Sequence, residues 1–567
     1  MPHSETYLSQ QPSRFKERHP TTQETIMRGW ITAGLLLPSL LFAQAPAAPT
    51  TAAWQSDLRL LAREMPARHP GAFARITRAQ WDSAVGSLTR RMPALSQNER
   101  IVEIFRLVAL VEDAHTTVQP TPLLRMRYYP LELYQFEDGL FIRRADSAHR
   151  ELVGARVVRI GRQSAEGALA SVGPIISHEN EWWVRSLGPF WLMVPEVLAG
   201  LHIADDPERL PLVLEHDGRT ETAVITPAGF LGHGGNEAFD TSLWVSMRTA
   251  SLPLYEQHRD QPFWWTLLPD GRSLYVCLRA VVPGPRSGTN RGQWDQVFAL
   301  ADSAQVARLI IDVRHNGGGN GGLNRYPVQQ ILRRPAIDQR GHLYVITGRQ
   351  TFSAAQQFAN LLEAWTQATF VGEPTGQQPS QYGDHRPLLL PGTQLLVQIS
   401  SVYHQAPNEF DQREFVPPAL YTPLTSTDYA DGRDPALNAI LAAETDPPAM
   451  DQVQAALMQD DSAGAERILL ATRSATINRY RSLEGQVNAL GYQLLGSGET
   501  ARAIQAFQLN TLAYPHSANT FDSLGEALLA AGRKDDAIAV YRHAVEVEPG
   551  FPPSMQALER LGVSAGP

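Results

Sequence analysis

Residues 309–322 read LIIDVRHNGGGNGG, an apolar run that leads directly into a cluster of glycines. A short apolar run without polar alternation is typical of a strand that is buried on both faces of a parallel sheet. Glycines at the end of such a strand let backbone N–H groups approach a ligand closely. The stretch therefore predicts an α/β sheet that carries a functional loop at its edge.

The next segment repeats this arrangement and adds a reactive side chain. Residues 343–347 form a second predicted strand, and residues 354–367 form a helix with its apolar residues on one face. Ser353 falls at the first turn of that helix, where unpaired N–H groups and the helix dipole favour a developing negative charge. Such a serine can attack a carbonyl while the N–H of Ala354 stabilises the oxyanion. The commoner alternative is an ordinary N-cap serine.

These motifs together resemble those of a known family. Residues 311–319 (IDVRHNGGG) and 351–355 (TFSAA) are similar to the two central motifs of the tail-specific, or C-terminal-processing, serine peptidases. Residues 370–376 (FVGEPTG), 414–418 and 431–435 resemble the segments that follow in that family. The resemblance implies a crotonase-like (ClpP/crotonase) α/β spiral core and the hydrolysis of peptide bonds.

The lysine content distinguishes two branches of this family. One branch uses a Ser-Lys dyad, and Gln378 occupies the position that matches its lysine. Only Lys16 and Lys534 are lysines, so a dyad cannot operate in the region between them. The resemblance therefore implies the branch similar to the core of tricorn protease, which uses a histidine and a supporting carboxylate.

The resemblance also assigns the base. Residues 111–116 (VEDAHT) are similar to the segment that carries the histidine, so His115 is expected to remove the proton of Ser353 and later to protonate the leaving amine. A histidine at the end of a helix is, without the resemblance, more often a surface or capping residue.

The third group is expected shortly before a proline pair. Motif order places it in residues 409–414, where Asp411 fits best by its distance from the prolines and Glu409 and Glu414 compete. The family residue is usually glutamate, so the shorter aspartate leaves the three alternatives open.

The resemblance also implies an oxyanion hole that is formed in part by the glycine loop. The N–H of Gly318, or of Gly319, and the N–H of Ala354 are expected to form the oxyanion hole. No loop resembling the carboxylate-binding loop of a PDZ domain is evident in residues 155–226, so recognition of free C-termini is not implied.

Composition excludes several other chemistries. The chain has one cysteine, Cys277, in an apolar run that predicts a buried structural thiol, so it has neither an intramolecular disulfide nor a cysteine-ligated zinc site. No His-x-x-x-His pair with an intervening glutamate occurs, and neither a metal nor a cofactor is expected. The formal net charge of −9 gives no electrostatic reason to expect nucleic-acid binding.

The N-terminus resembles an export signal. Residues 28–45 contain one arginine, a short apolar stretch and small residues at the end, so residues 1–47 are expected to be a leader and signal peptide, with Met27 as the candidate true start. Cleavage after Ala45 or Ala47 would release a periplasmic or extracellular protein without stable membrane insertion. An uncleaved anchor helix is the alternative.

Patterning divides the remainder of the chain into four regions. A helical domain is expected at 54–122, a β-rich domain at 123–261 and the α/β catalytic core at 262–446. The tryptophans of residues 182–191 are expected to pack in the interior, with a substrate groove as the second interpretation.

The last region, residues 447–567, contains an internal repeat. Leu490-Gly491 recurs as Leu524-Gly525, and Phe507 recurs as Tyr541, each at an offset of 34 residues. This is the tetratricopeptide period, and it predicts an all-α module that contacts the catalytic domain or a protein partner.

The sequence thus favours an exported serine peptidase that acts on peptides or unfolded proteins. The alternative from another class is a catalytically inactive peptidase fold that uses its helical repeats as a binding scaffold. An esterase with the same site is a third hypothesis. A nucleotide-binding enzyme is a distant fourth, since Gly317, Gly319 and Gly322 fit the GxGxxG pattern, which alone is weak.

Overall fold

Three α-helices precede the first strand in the part of the chain that the structure describes. The computed structural model describes residues 48–119, 124, 126–216, 218–231, 244–284, 290–443 and 449–564, so the predicted leader and signal peptide lie outside the described residues. The first elements are α1 Thr51–Arg68, α2 Arg78–Arg91, α3 Gln97–Ala109 and β1 Thr117–Gln119. Each helix begins after a hydroxyl side chain that accepts a hydrogen bond from a first-turn N–H, which fixes where the helices start.

The next region contains the predicted strands, but helices interrupt them. The strands are β2 Arg127–Tyr128, β3 Leu131–Phe136, β4 Gly139–Ala145, β5 Arg156–Ile160, β6 Gln163–Ser164, β7 Leu210–His216, β8 Arg219–Ile225, β9 Gly229–Phe230 and β10 Val245–Ser246. The helices are α4 Ala165–Val172, α5 Glu181–Trp191 and α6 Pro195–Gly200. The main antiparallel sheet has the order β10–β4–β5–β7–β8, with β3 beside β4 and β6 beside β5.

Helix α5 accounts for the cluster of tryptophans. The side-chain oxygen of Asn180 accepts hydrogen bonds from the N–H groups of Trp182 and Trp183, so the aromatic run starts a helix. Trp182 is buried, whereas the ring of Trp183 stacks on Phe352 with 4.1 Å between the ring centroids. Trp182 therefore packs in the interior as predicted, whereas Trp183 reaches the segment that carries Ser353.

The α/β region follows with strands and helices in alternation. Its strands are β11 Phe263–Leu267, β12 Ser273–Leu278, β13 Arg308–Asp312, β14 Leu343–Thr347, β15 Thr369–Gly372, β16 Gln381–Gly383, β17 Arg386–Leu389, β18 Leu396–Ile399, β19 Val402–His404 and β20 Leu420–Tyr421. Its helices are α7 Asn290–Ser303, α8 Arg325–Leu332, α9 Ala354–Trp365, α10 Ser426–Ala430 and α11 Pro435–Ala442.

Six of these strands form the central sheet. Their order is β11–β12–β13–β14–β15–β20, and every neighbouring pair except β11–β12 is parallel. All residues of β12, β13 and β14 are buried, because α7, α8 and α9 cover one face and α11 covers the other. Cys277 is buried in the cluster on the α11 side. The predicted α/β class with a largely parallel sheet is confirmed.

A small sheet connects the N-terminal helices to this region. Strand β1 pairs antiparallel with β18, which also pairs with β17. The register sets Thr117 opposite Gln398. Because His115 lies just before β1, this pairing holds its loop at the α/β region.

Seven helices complete the described chain. They are α12 Ala449–Met458, α13 Ser462–Ser474, α14 Glu484–Gly496, α15 Thr500–Ala513, α16 Ala518–Ala530, α17 Lys534–Val547 and α18 Pro552–Arg560. Gly491 faces the ring of Phe507, and Gly525 faces that of Tyr541; a Cβ on either glycine would lie 2.5 Å from the ring. The same contact thus recurs in both repeat units, whereas the tetratricopeptide assignment stays a prediction.

The helical module packs against the β-rich and the α/β regions. The ring of Tyr480 lies 5.2 Å from that of Tyr421 and 6.4 Å from that of Trp182, and Arg479 pairs with Glu137 at 3.3 Å. This is the contact that the low number of repeats predicts. Within the described residues, no helix has the length and hydropathy needed to cross a bilayer.

Candidate active site

Ser353 lies between β14 and α9 in a backbone conformation that few residues adopt. Its φ of 57° and ψ of −123° fall in a sparsely populated region. The side chain makes no capping hydrogen bond to the helix, so the N-cap interpretation does not hold.

A local network holds this bend. The Thr351 hydroxyl donates to the Val313 carbonyl at 2.9 Å and accepts a hydrogen bond from the Gly348 N–H at 3.0 Å. The Phe352 N–H donates to the Asn316 carbonyl at 3.1 Å. These bonds tie the segment before Ser353 to the end of β13 and to the loop that follows it, and they balance the backbone strain.

The structure brings His115 against this serine. Nε2 of His115 lies 2.9 Å from Oγ of Ser353, although the two residues are 238 positions apart. The imidazole stacks on the ring of Phe352 with 4.5 Å between centroids and 28° between planes. The two side chains that the sequence suggested as base and nucleophile are therefore within hydrogen-bonding distance.

Asp113 fixes the loop that carries His115. Its carboxylate accepts hydrogen bonds from the His115 N–H at 3.0 Å, the Thr116 hydroxyl at 2.5 Å and Nε2 of His69 at 2.9 Å. Burial alone would raise the pKa of Asp113, but the hydrogen bonds, that of His69 first, outweigh burial and lower it. This ionised carboxylate therefore holds His115 through its backbone N–H. Sequence reasoning assigned neither Asp113 nor His69.

The imidazole of His115 is held in its neutral form. Burial lowers its pKa to about 4, and the nearby Asp113 carboxylate offsets only part of this effect. At neutral pH the ring is uncharged and carries one proton and one lone pair, as a general base requires.

A buried glutamine occupies the place beside His115 where the sequence suggested a carboxylate. Nε2 of Gln377 lies 3.0 Å from Nδ1 of His115, and Oε1 accepts a hydrogen bond of 2.7 Å from the Ser353 N–H. An amide nitrogen can only donate, so this arrangement leaves the imidazole proton on Nε2. Gln377 therefore contacts both the imidazole and the backbone of the serine.

Gln378, which the sequence analysis set at the position of the family's lysine, does not face the serine. Gln378 accepts a hydrogen bond of 2.5 Å from Arg75, and its neighbour Gln377 faces Ser353. Gly376 packs on the Arg349 carbonyl so closely that a Cβ would lie 2.2 Å from the oxygen. This close approach holds the backbone just before the two glutamines against the segment that leads to Ser353.

Glu179 continues the chain of contacts beyond Gln377. Its Oε1 accepts a hydrogen bond of 3.2 Å from Nε2 of Gln377, while its buried Oε2 has no partner among the described residues. Burial, followed by the charge of Asp113, raises the pKa of Glu179 to about 8. At neutral pH this carboxyl group is mainly protonated and can donate a hydrogen bond. The sequence analysis did not assign it.

Asp411 is held elsewhere by a local ion pair. Its carboxylate accepts hydrogen bonds from the guanidinium of Arg413, at 2.7 Å for the closest pair, and Arg413 also pairs with Glu363 at 2.6 Å. No hydrogen bond joins Asp411 to His115 in the part of the chain that the structure describes. An arginine two residues along the chain competes for the carboxylate, so the structure does not bring Asp411 to the site.

The two competitors of Asp411 are likewise not at the imidazole. Glu409 and Glu414 are exposed, and Glu414 contacts Asn180 only through its backbone carbonyl, at 2.7 Å. The residue that the structure sets against Nδ1 of His115 is Gln377.

The glycine loop brings backbone N–H groups to the serine. Gly318 has a φ of 111°, and a Cβ at this position would lie 2.5 Å from Cβ of Ser353 and 3.0 Å from the Ala354 nitrogen. The Gly318 N–H already donates to Oδ1 of Asn316 at 2.9 Å. The N–H groups of Gly319 and Ala354 donate to no described residue. Of the two glycines left open by the sequence, Gly319 is the one with a free donor.

A groove of about 1130 Å³ opens beside Ser353. Residues 319–322 form part of one side, and Tyr403 and His404 lie on another. An apolar strip on α8 and α9 completes the lining with Val328, Leu332, Leu361 and Trp365. A groove of this size with an apolar strip is suited to an extended organic ligand.

The chain is similar to several solved structures at low sequence identity. Mature CPAF is 13% identical with a TM-score of 0.48, and the alignment covers 70% of this chain and 99% of that one. For the photosystem II D1 C-terminal processing protease the values are 14%, 0.32, 68% and 98%, and for tricorn protease they are 12%, 0.32, 69% and 36%. No family model and no curated protein matches the chain.

Proposed function

We propose that this chain is a serine peptidase of the tail-specific, C-terminal-processing type, with Ser353 as nucleophile and His115 as general base. The 2.9 Å contact between Nε2 of His115 and Oγ of Ser353 carries the proposal. The free N–H groups of Gly319 and Ala354 and the adjoining groove support it. The crotonase-like spiral core that the motifs imply is part of the same proposal.

The reaction begins when Oγ of Ser353 attacks the carbonyl carbon of a peptide bond. The hydroxyl proton passes to Nε2 of His115, and the N–H groups of Ala354 and Gly319 donate to the oxyanion of the tetrahedral intermediate. The imidazolium then returns the proton to the leaving amine, which breaks the C–N bond. Water attacks the acyl-enzyme by the same steps and releases Ser353.

This proton transfer requires a change at Gln377. His115 can accept the proton at Nε2 only when its own proton is on Nδ1, which then needs an acceptor. Rotation of the Gln377 amide by about half a turn replaces Nε2 with Oε1 at Nδ1. The rotation costs the hydrogen bond from the Ser353 N–H, about 1–3 kcal/mol for a buried group.

Glu179 compensates for that rotation. Once Oε1 of Gln377 faces Glu179, a protonated Glu179 carboxyl donates to it, whereas an ionised carboxylate would repel it. The raised pKa of Glu179, about 8, keeps the proton in place at neutral pH. Gln377 and Glu179 thus act as positioning residues in place of the carboxylate of a Ser-His-carboxylate triad.

Features of the structure and of the sequence also support a substrate class and a location for the protein. The groove suits an extended peptide or an unfolded segment of a protein, with an apolar side chain against Leu361 and Trp365. The composition of residues 28–45 supports export to the periplasm or the extracellular space. The repeated glycine–aromatic contacts at Gly491 and Gly525 support a tetratricopeptide-like module that can hold a protein partner.

Covalent labelling with a fluorophosphonate tests the proposal on the full chain. We expect the wild type to be labelled at Ser353, and both Ser353→Ala and His115→Ala to lose the signal by about 10³-fold or more. Ser303→Ala and His342→Ala are matched controls, because each replaces a residue of the same type outside the site.

The outcomes separate the hypotheses. Absence of labelling in folded wild-type protein contradicts the proposal and favours an inactive fold that binds a partner. Labelling with turnover of esters but not of peptides favours an esterase.

A further inference from the structure

A second cavity, of about 320 Å³, lies at the carboxyl edge of the central sheet. Side chains that follow four neighbouring strands line it: Arg279 after β12, Arg314 and His315 after β13, Arg349 after β14 and Glu373 after β15. In parallel sheets this edge is where ligands commonly bind. The peptidase reaction proposed above uses none of these side chains.

The lining of this cavity is rich in arginine. Five arginines line it: Arg143, Arg259, Arg279, Arg314 and Arg349. Two of them make forked ion pairs: Arg314 with Asp312 and Asp434, and Arg349 with Glu373. Because Arg314 pairs with two carboxylates, this part of the wall has one carboxylate more than guanidinium groups.

The other arginines are not balanced in this way. Glu256 accepts hydrogen bonds from Arg259 and also from Arg248, at 2.8 Å and 3.1 Å for the latter, so one carboxylate serves two guanidinium groups. Arg279 donates only to the backbone carbonyls of Tyr255 and Gln257, at 2.8 Å and 2.6 Å. Arg143 pairs with Glu132, whereas Arg279 has no carboxylate partner among the described residues. Together with their hydrogen-bonded ion-pair partners, the charged residues of the wall comprise six guanidinium groups and five carboxylates, so the cavity carries a surplus of one positive charge.

Hydrogen-bond donors in the wall also lack acceptors. The Nε groups of Arg143 and Arg279 are buried without a partner among the described residues. The hydroxyl of Tyr255, a residue that is 3% exposed, also lacks a hydrogen-bond partner among them. Buried donors of this kind cost free energy unless a bound group accepts from them.

The charge of the cavity affects the neighbouring ring as well. Burial, followed by the charge of Arg314, lowers the pKa of His315 to about 4. The ring of Tyr255 packs against His315 edge to face, with 5.5 Å between centroids. A neutral imidazole adds no charge to the site, but it can donate one hydrogen bond.

We propose that this cavity binds a small oxyanion, a carboxylate or a phosphate, through Arg279, Arg143 and Tyr255. Guanidinium groups match the paired oxygens of both anions, and an anion supplies the missing negative charge and the missing acceptors together. The volume suits a small molecule or a terminal group.

Residues that line this cavity lie next to the candidate active site along the chain. Arg314 and His315 precede Asn316, whose side chain holds the Gly318 N–H, and Arg349 stands four residues before Ser353. A bound anion therefore stabilises the two loops that form the oxyanion hole and the nucleophile bend.

Titration of the full chain with inorganic phosphate and with succinate tests the proposal. Calorimetry and thermal melting at constant ionic strength, adjusted with chloride, are expected to give saturable binding of at least one of the two anions. The anion that saturates at the lower concentration identifies the chemistry. Linear, unsaturable effects of both anions would overturn the proposal.

Variants locate the site. We expect Arg279→Gln to weaken binding by about tenfold or more, as the loss of a charge-assisted hydrogen bond implies. Arg433→Gln, which changes an exposed arginine paired with Asp428, should leave the affinity unchanged. Equal affinities in the two variants would contradict the assignment.

A milder change covers the case in which Arg279→Gln does not fold. Tyr255→Phe removes only the hydroxyl, and about a threefold to tenfold loss of affinity is expected for one neutral hydrogen bond. Wild-type affinity in Tyr255→Phe, with Arg279→Gln unfolded, would also overturn the assignment.

Discussion

The catalytic region and the C-terminal helices are built by different kinds of contact. In the helices, Gly491 and Phe507 meet within one repeat unit, and Gly525 and Tyr541 repeat the contact in the next. At the candidate active site the partners come from distant parts of the chain: His115 and Gln377 are 262 residues apart.

This difference predicts where substitutions act. A change in a repeat alters the packing of adjacent helices and should reduce stability with little effect on the nucleophile. A change in a loop of the active site moves groups that the whole fold positions, so it should reduce activity with a smaller effect on stability. The following predictions test that separation.

Among substitutions outside the nucleophile and the base, Gly318→Ala should have the largest effect on activity. The new Cβ would lie 2.5 Å from Cβ of Ser353, so the serine and the Ala354 N–H must shift. We expect the labelling rate to fall by about 10²-fold, the loss typical of a disrupted oxyanion hole. Gly271→Ala is the matched control, because Gly271 also has a positive φ but its Cβ would meet nothing within 4 Å. Equal labelling rates in the two variants would contradict the geometry.

The acid side of the pH profile tests the environment of His115. Since the base must be neutral and its pKa is lowered to about 4, the labelling rate should stay constant from pH 7 to pH 5 and fall only below that. A histidine with the ordinary pKa of about 6.5 would lose about nine-tenths of the rate by pH 5.5. Circular dichroism at each pH separates titration from unfolding. A midpoint near 6.5 would show that the ring is not buried as described.

Glu179→Gln should change the pH dependence of stability and, more weakly, activity. The folded pKa of Glu179, about 8, exceeds its ordinary value of 4.5, so its favourable contribution is complete below pH 4.5 and is lost as the pH rises through 8. We expect the wild type to lose about 2–4 kcal/mol of unfolding free energy between pH 6 and pH 9 that Glu179→Gln retains.

Urea denaturation at the two pH values measures this difference. Glu466→Gln, at an exposed position in α13, is the control and should follow the wild type. Labelling should fall by about tenfold in Glu179→Gln at pH 7. After the rotation of Gln377, the atom that now accepts its hydrogen bond must donate one; a carboxyl group can carry its proton on either oxygen, whereas an amide must rotate to exchange its oxygen for its nitrogen. Identical pH dependence in all three proteins would remove Glu179 from the positioning network.

The two regions also differ in how far the sequence predicts them. The limits of β14 agree with the predicted strand residue for residue, because burial on both faces produces a continuous apolar run. His115 and Ser353 were suggested by motif resemblance. Gln377 and Glu179 were not, since their contact joins a loop after β15 to the start of α5, 198 residues away. No local pattern marks a buried glutamine as the partner of an imidazole.

Gly525→Ala should have the smallest effect on activity, although it changes the most regular part of the chain. The added Cβ would lie 2.5 Å from the ring of Tyr541, and the resulting overpacking should cost about 1–3 kcal/mol of unfolding free energy. Gly485→Ala, at a helical position where a Cβ meets nothing within 4 Å, should be neutral or slightly stabilising. Both variants should be labelled by the fluorophosphonate at the wild-type rate. A large loss of labelling in Gly525→Ala alone would mean that the packing of Tyr480 on Tyr421 transmits strain from the repeats to the catalytic region, and the separation of the two regions would then be wrong.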